Sequence, residues 1–208
     1  RVPRGPPRFG YSGAGNMGDK NGGIVEIIEP SMQTTSIEGL IVITPKQVTD
    51  ERGTIRELVR RSWLEEHGLV SSFAQANNTL THRGAVRGLH AEAMTKLVTV
   101  VSGRVFGAYV DIREGSATRG QVVTVEITPG TMVLVPQGVC NGFQALEDAT
   151  EYLYFFDREW TAGMPGAALA PLDPELGIDW PIPVDVDDRA MISEKDLNAP
   201  RYAAVRNS

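Results

Sequence analysis

From Ile24 onward the chain is written in short β-favouring runs cut by turn residues, and this pattern constrains its fold more than any other feature. Ile41-Val42-Ile43-Thr44 stops at Pro45. Residues 97–101 stop at Ser102-Gly103, and residues 104–112 resume in β-favouring residues, so the two runs predict a hairpin. In residues 121–128, Val123, Val125 and Ile127 alternate with Thr124, Glu126 and Thr128, which buries one face and wets the other. After the Pro129-Gly130 turn, residues 132–135 are apolar on both faces, as a strand between two layers requires, and residues 152–156 form a similar run. One short helix is expected near residues 57–67, closed by Gly68. No repeat, βαβ alternation or glycine-rich phosphate loop is present. The fold class expected is all-β: an antiparallel double-sheet jelly-roll barrel with few short helices.

The 208 residues suit one domain, expected over 24–208, with a proline-rich C-terminal extension from about Gly163 laid over the barrel. Residues 1–23 hold seven glycines and three prolines and little that could pack, so they read as a flexible leader. Within it, Val2-Pro3-Arg4-Gly5 looks like the remnant of a cleavable expression linker. A net charge of −6 argues against a nucleic-acid or polybasic membrane partner, while leaving room for a local basic cluster that binds a small anion. Cys140 is the single cysteine, so an internal disulfide is excluded and a reducing compartment fits. No apolar run reaches the ~18 residues of a membrane span, and no signal peptide opens the chain. The expectation is a soluble, cytoplasmic protein.

There are three histidines, His67, His82 and His90, which is too few for a histidine-rich metal cage. His67 sits at the expected helix end and His82 in a polar turn, both ordinary structural places. His90 follows Val86-Arg87-Gly88-Leu89, where a strand starts beside a basic side chain and a glycine that allows a ligand close approach. Taken alone, it too reads as structural.

A set of short strings changes that weighting. Asp50-Glu51-Arg52-Gly53, Gln75-Ala76-Asn77, Val86-Arg87-Gly88-Leu89-His90, Lys96-Leu97-Val98, Val110-Asp111-Ile112-Arg113 and Pro136-Gln137-Gly138 stand in order. Asp173-Pro174, Ile178-Asp179-Trp180-Pro181 and Ser193-Glu194-Lys195-Asp196 follow. Together they resemble the dTDP-4-dehydrorhamnose 3,5-epimerase family from about Ile41 to Pro200. The resemblance implies a cupin-type jelly roll, a homodimer, and a cofactor-free epimerase of a nucleotide-linked 4-keto-6-deoxy sugar.

A ketone at sugar C4 acidifies the hydrogens on C3 and C5, so a base can remove one and the enolate can be reprotonated on the other face. By resemblance His90 is that base and Asp196 the carboxylate that orients it, although more than a hundred residues separate them. Tyr154 falls at the position of the phenolic acid, with Tyr152 pointing the same way on a regular strand. Lys96 would offset charge on the enolate oxygen. Arg52 and Arg87 fall at matched positions and offer forked donors to a diphosphate. Glu57, Gln75, Asn77, Asn141 and Lys195 fall at substrate-contact positions. Arg113 reads as structural, paired with a nearby acid.

The chain also departs from the family pattern. Asn141 stands where a histidine is usual, in Pro136-Gln137-Gly138-Val139-Cys140-Asn141-Gly142-Phe143, and Gly107 stands where an aspartate is common. Ala91-Glu92 replace an aromatic and a glutamine, and residues 161–170 are unusually small and apolar. These changes suggest altered substrate scope, with dTDP and GDP sugars and inversion at C3, C5 or both all open. They also motivate two rivals: a nucleotide-sugar-binding relative with weak or no turnover, and a metal-dependent cupin enzyme. The second needs two or three histidines with a carboxylate, whereas His90-Ala91-Glu92 supplies one of each, so no metal site is expected.

Overall fold

The computed structural model describes residues 14–18, 24–69 and 72–206. Most of the expected leader lies outside the described residues, but Ala14–Gly18 within it form β1, paired antiparallel with β2 (Ile24–Ile28). These two strands join β5 (Gln47–Asp50) and β6 (Gly53–Arg56) in a four-stranded sheet ordered β1-β2-β5-β6, which the sequence pattern does not reveal. The barrel is built from two larger antiparallel sheets. One contains β8 (Val86–Glu92), β10 (Val105–Asp111), β11 (Val122–Ile127), β13 (Val139–Ala145) and β15 (Gly166–Ala168), ordered β11-β10-β13-β8-β15. The other contains β3 (Ser31–Thr34), β4 (Ile41–Thr44), β7 (Gln75–Thr81), β9 (Lys96–Ser102), β12 (Met132–Val135) and β14 (Thr150–Phe156), ordered β3-β4-β12-β9-β14-β7.

Alternation along the strands distributes the apolar side chains among three clusters. Val98, Val100, Val133 and Val135 meet Val105, Tyr109, Ile127 and Phe143 between the two large sheets. The opposite face of β10, Ala108 and Val110, packs with Leu89, Cys140, Leu169 and Leu176 beneath the C-terminal extension. Ile43, Leu97, Met132 and Leu134 pack outside the six-stranded sheet, against Trp63 of the short helix α1 (Arg61–Glu66).

This double-sided burial overturns the expected hairpin. β9 pairs with β12 and β14, whereas β10 pairs with β11 and β13, so Ser102-Gly103-Arg104 carries the chain from one sheet to the other. Gly103 has φ of +78°, and a Cβ there would lie 2.4 Å from Thr150 Oγ1. The expected helix is also shorter than its pattern. The Glu57 N–H donates to the Lys46 carbonyl, which ties residue 57 to the four-stranded sheet, and the helix begins only at Arg61. Gly68 closes it as expected, with φ of +66°.

The extension is held by strand pairing and burial. β15 runs antiparallel to β8, with Ala168 opposite His90 and Gly166 opposite Glu92. Small residues are needed there because a Cβ at Gly166 would lie 2.7 Å from the Ala91 carbonyl oxygen. Farther on, Leu169, Leu176 and Ile192 are buried, each contributing roughly 1.5–3 kcal/mol of apolar burial. This anchoring returns residues 189–196 to the mouth of the barrel. Among the described residues no helix is long and apolar enough to cross a membrane.

Candidate active site

A cavity of about 300 Å³ opens between the large sheets, walled by β8 and β13 on one side, by β14 on the other, and covered by residues 189–196. On the β8 wall the strand is bulged. Its register with β13 shifts between Asn141 and Phe143, where Gly88 (φ of +113°) and Gly142 approach so closely that a Cβ on Gly88 would lie 2.6 Å from the Gly142 Cα. Bulges re-aim side chains, and past this one His90 and Glu92 both line the cavity.

His90 Nε2 lies 2.7 Å from Asp196 Oδ1, although 106 residues separate them in sequence. Val86 N–H donates to the Met191 carbonyl at 2.7 Å, and Val86 and Ile192 form a parallel bridge, which docks the incoming segment on β8. Ser193 then caps α2 (Glu194–Leu197), its Oγ accepting the Asp196 N–H at 3.0 Å, so the first helical turn points the carboxylate inward. The second oxygen, Oδ2, accepts the Gly88 N–H at 3.3 Å. Burial pushes the Asp196 carboxyl up, but its bond and charge interaction with His90, with help from Gly88 and Ser193, hold it below the ordinary aspartate value.

Lys96, buried at the start of β9, donates from Nζ to Asn141 Oδ1 at 2.7 Å and forms an ion pair with Glu92. Burial raises the Glu92 carboxyl, yet the charge and hydrogen bond of Lys96 outweigh this and lower it. Two positions at which the chain departs from the expected pattern therefore meet on one ammonium. An ammonium has three donors, and with two engaged the third is left for a ligand oxygen.

Tyr152, Tyr154 and Phe156 alternate on β14 and face the cavity, so Tyr154 stands on the wall opposite His90. Tyr152 is buried, stacked on Phe143 with ring centroids 4.0 Å apart, while Tyr154 is half-buried and tilted against Tyr152 at 5.8 Å. Behind them the buried hydroxyls of Tyr109 and Tyr152 make no well-formed hydrogen bond, and burial raises both above the ordinary tyrosine value. Burial likewise pushes the Cys140 thiol up to about 12, which makes it an inert packing residue.

The sequence profile of the dTDP-4-dehydrorhamnose 3,5-epimerase family matches residues 34–204. The chain belongs to this family. A dTDP-4-dehydrorhamnose 3,5-epimerase of Methanothermobacter thermautotrophicus is 37% identical over 173 residues, covering 79% of this chain and 90% of the relative. Among solved structures, NovW, a 4-keto-6-deoxy sugar epimerase from the novobiocin biosynthetic gene cluster of Streptomyces spheroides, superposes with a TM-score of 0.77 at 31% identity, covering 86% of this chain and 91% of its own. ChmJ, a 3'-monoepimerase from Streptomyces bikiniensis solved with dTDP-quinovose, gives 0.74 at 31% identity, covering 85% and 89%.

Of the residues at epimerase-family positions, His90, Asp196, Lys96, Tyr154, Arg87 and Asn141 come together in the one cavity. Gln75 and Asn77 extend its wall along β7, paired directly with Phe156 and Tyr154 on β14, and Gln75 Nε2 donates to Asn77 Oδ1 at 3.0 Å. Arg52, Glu57 and Lys195 do not line it. Arg52 is exposed at the β5–β6 turn, held to Asp50, and Glu57 is paired with Arg60 beside a separate small hollow near Trp63. Lys195 is exposed on α2.

The residues read as structural behave so. His67 Nδ1 lies 2.8 Å from the Trp63 carbonyl, and Arg113 grips Asp111 through Nε and Nη2. Among the described residues no group of three or more His, Cys, Asp and Glu is placed to hold a metal ion. Sequence reasoning missed two cavity residues. Glu92, which the sequence offers only as a departure and as the acid of a metal-dependent rival, pairs with Lys96 across the β8–β9 connection. Arg189 had no signal short of the returning segment itself.

Proposed function

We propose that this chain epimerises a nucleotide-linked 4-keto-6-deoxy sugar of the dTDP-4-dehydro-6-deoxy-glucose type, with His90 as the base and Tyr154 as the proton donor on the opposite face. The observation that carries this is the His90–Asp196 pair at 2.7 Å, set across one cavity from Tyr154. With Nε2–H directed at the carboxylate, Nδ1 is the nitrogen left with a lone pair to take a proton from C3 or C5. As the imidazole becomes cationic, Asp196 stabilises it. Charge then develops on the C4 oxygen, where the remaining donor of the buried Lys96 is available. Protonation by the Tyr154 hydroxyl on the other face completes inversion. One proton passes from carbon to His90 and one from Tyr154 to carbon, after which exchange with solvent returns the imidazolium and the phenolate to their starting states; no redox partner enters the cycle.

Arg87 at the cavity wall is assigned to the diphosphate, and Gln75 and Asn77 to hydroxyls of the nucleotide sugar. Exposed Ile55 on the edge strand β6 beside Arg52 supports a homodimer formed through the four-stranded sheet, which sedimentation at several concentrations will test. The single buried cysteine supports a cytoplasmic setting. The deciding experiment is solvent-deuterium incorporation into dTDP-4-keto-6-deoxy-glucose, followed by NMR. Deuterium at C3, C5 or both is expected and reports which centres are acted on. No incorporation by the wild-type protein at any pH would refute the reading.

A further inference from the structure

Arg189 is a cationic side chain lining the cavity to which neither the sequence pattern nor the proposed chemistry gives a task. It lies on an exposed turn among Asp185, Asp187 and Asp188, and an arginine so placed would ordinarily pair with a carboxylate. It forms no ion pair among the described residues, and its one bond is a long contact of 3.5 Å from Nη1 to the Ile192 carbonyl. Two of these acids are turned to the backbone instead. Asp185 Oδ1 accepts the Asp187 N–H at 3.0 Å, Asp188 Oδ1 accepts the Ala190 N–H at 2.8 Å, and the Asp188 carbonyl accepts from Met191 and Ile192. The turn is thus self-satisfied and leaves a guanidinium over the cavity. Arg87, on the β8 wall, is similarly without a carboxylate, its Nε spent on Thr81 Oγ1 at 3.2 Å. Deeper in, Lys96 and the potential positive charge of His90 are already matched by Glu92 and Asp196. The cations left over are the two arginines, on opposite sides of the Met191–Val86 junction.

Resting on the nucleotide-sugar reading, we propose that Arg189 is a second diphosphate ligand, which clamps the anion together with Arg87. Paired forked donors suit adjacent phosphate groups.

The test is calorimetric binding of dTDP and GDP to the intact protein, using whichever binds more tightly, beside the matching nucleoside. Arg189→Ala should weaken the nucleoside diphosphate about tenfold or more, comparably to Arg87→Ala, and leave nucleoside binding within about twofold. The salt dependence of diphosphate binding should flatten in both variants. In turnover, KM should rise with kcat nearly unchanged, and Arg189→Lys should recover part of the loss. Diphosphate affinity unchanged in Arg189→Ala while Arg87→Ala loses it would overturn the assignment and leave the epimerase reading intact. Equal losses for diphosphate and nucleoside would also overturn it, because they would report a disturbed fold. If neither diphosphate binds the wild-type protein, the nucleotide-sugar reading fails and this assignment with it.

Discussion

Lys96 gives one of its three ammonium donors to Asn141, at 2.7 Å, and so joins the start of β9 to β13 in the other large sheet. With Glu92 holding a second donor, the lysine is fixed from two sides and aimed into the cavity. Lys96→Met should slow proton exchange at the sugar by about 10²–10³, the range for removing one donor to a developing oxyanion, with diphosphate affinity within a few-fold of wild type. Asn141→Ala should cost less, about 3–10-fold, since Glu92 still holds the ammonium. Single-turnover exchange rates measure both; an Asn141→Ala loss as large as that of Lys96→Met would mean that Asn141 has a task of its own.

His90→Asn and Asp196→Asn test the base. The first removes the proton acceptor and should lower exchange by about 10²–10⁴. The second keeps the shape of the carboxylate but removes its charge and can present the wrong group to Nε2, so a loss of similar size is expected. Exchange by the Asp196 variant within tenfold of wild type would show that His90 does not rely on its partner.

Tyr154→Phe separates removal of the proton from its return. Deuterium wash-in from the His90 face should survive within about tenfold, while net inversion falls by about 10²–10⁴, because the donor on the far face is gone. NMR of the same sample gives both rates, and equal losses would argue against Tyr154 as the donor.

Much of the barrel was legible because strand alternation and turn residues are local signals. The Pro129-Gly130 turn and the doubly buried Met132–Val135 strand stand where their residues place them. The hairpin expected from 97–101 and 104–112 fails for a non-local reason: two adjacent runs that are apolar on both faces suit the centres of two different sheets as well as one hairpin. The site divides in the same way. Asp196 could be named only through resemblance, since no local pattern announces a carboxylate that must travel 106 residues to its partner. Arg52 and Glu57, named through the same resemblance, lie on the four-stranded sheet and its exit, away from the cavity of their own chain.

Asp111 should govern acid stability independently of catalysis. Its side chain is fully buried at the end of β10 and accepts bonds from Arg113, Ser116 and Thr118, with Oδ2 2.6 Å from the Thr118 hydroxyl. Burial raises its carboxyl, but these partners together depress it far below the ordinary value of 3.8. A carboxyl depressed in the folded state binds protons more readily unfolded, so its stabilisation is fully present above about pH 4 and is lost as pH falls further. Asp111→Ala removes the bonds from Arg113, Ser116 and Thr118, leaves Arg113 its bond to the Glu38 carbonyl, and should destabilise by roughly 1.5–3 kcal/mol near pH 7. The gap to wild type should shrink as pH falls below 4, which urea unfolding at a series of pH values will measure.

Gly107 tests whether the layer between the sheets has room for a carboxylate. A Cβ there would lie 3.0 Å from the Tyr109 hydroxyl oxygen and 3.3 Å from the Val125 carbonyl oxygen, in the packed layer between the sheets. An aspartate at this position could accept a bond from the poorly partnered Tyr109 hydroxyl, worth about 1 kcal/mol. Overpacking costs about 1–3 kcal/mol, and an unpaired buried carboxylate adds to that, so the penalty wins. Gly107→Asp should therefore lower Tm by several degrees, since about 1 kcal/mol corresponds to roughly 2–4 °C in a domain of this size. Adding Tyr109→Phe removes the crowding oxygen and should recover part of the loss. If Gly107→Asp melts at the wild-type temperature, the space around β10 is larger than these distances imply, and the glycine has another reason to be there.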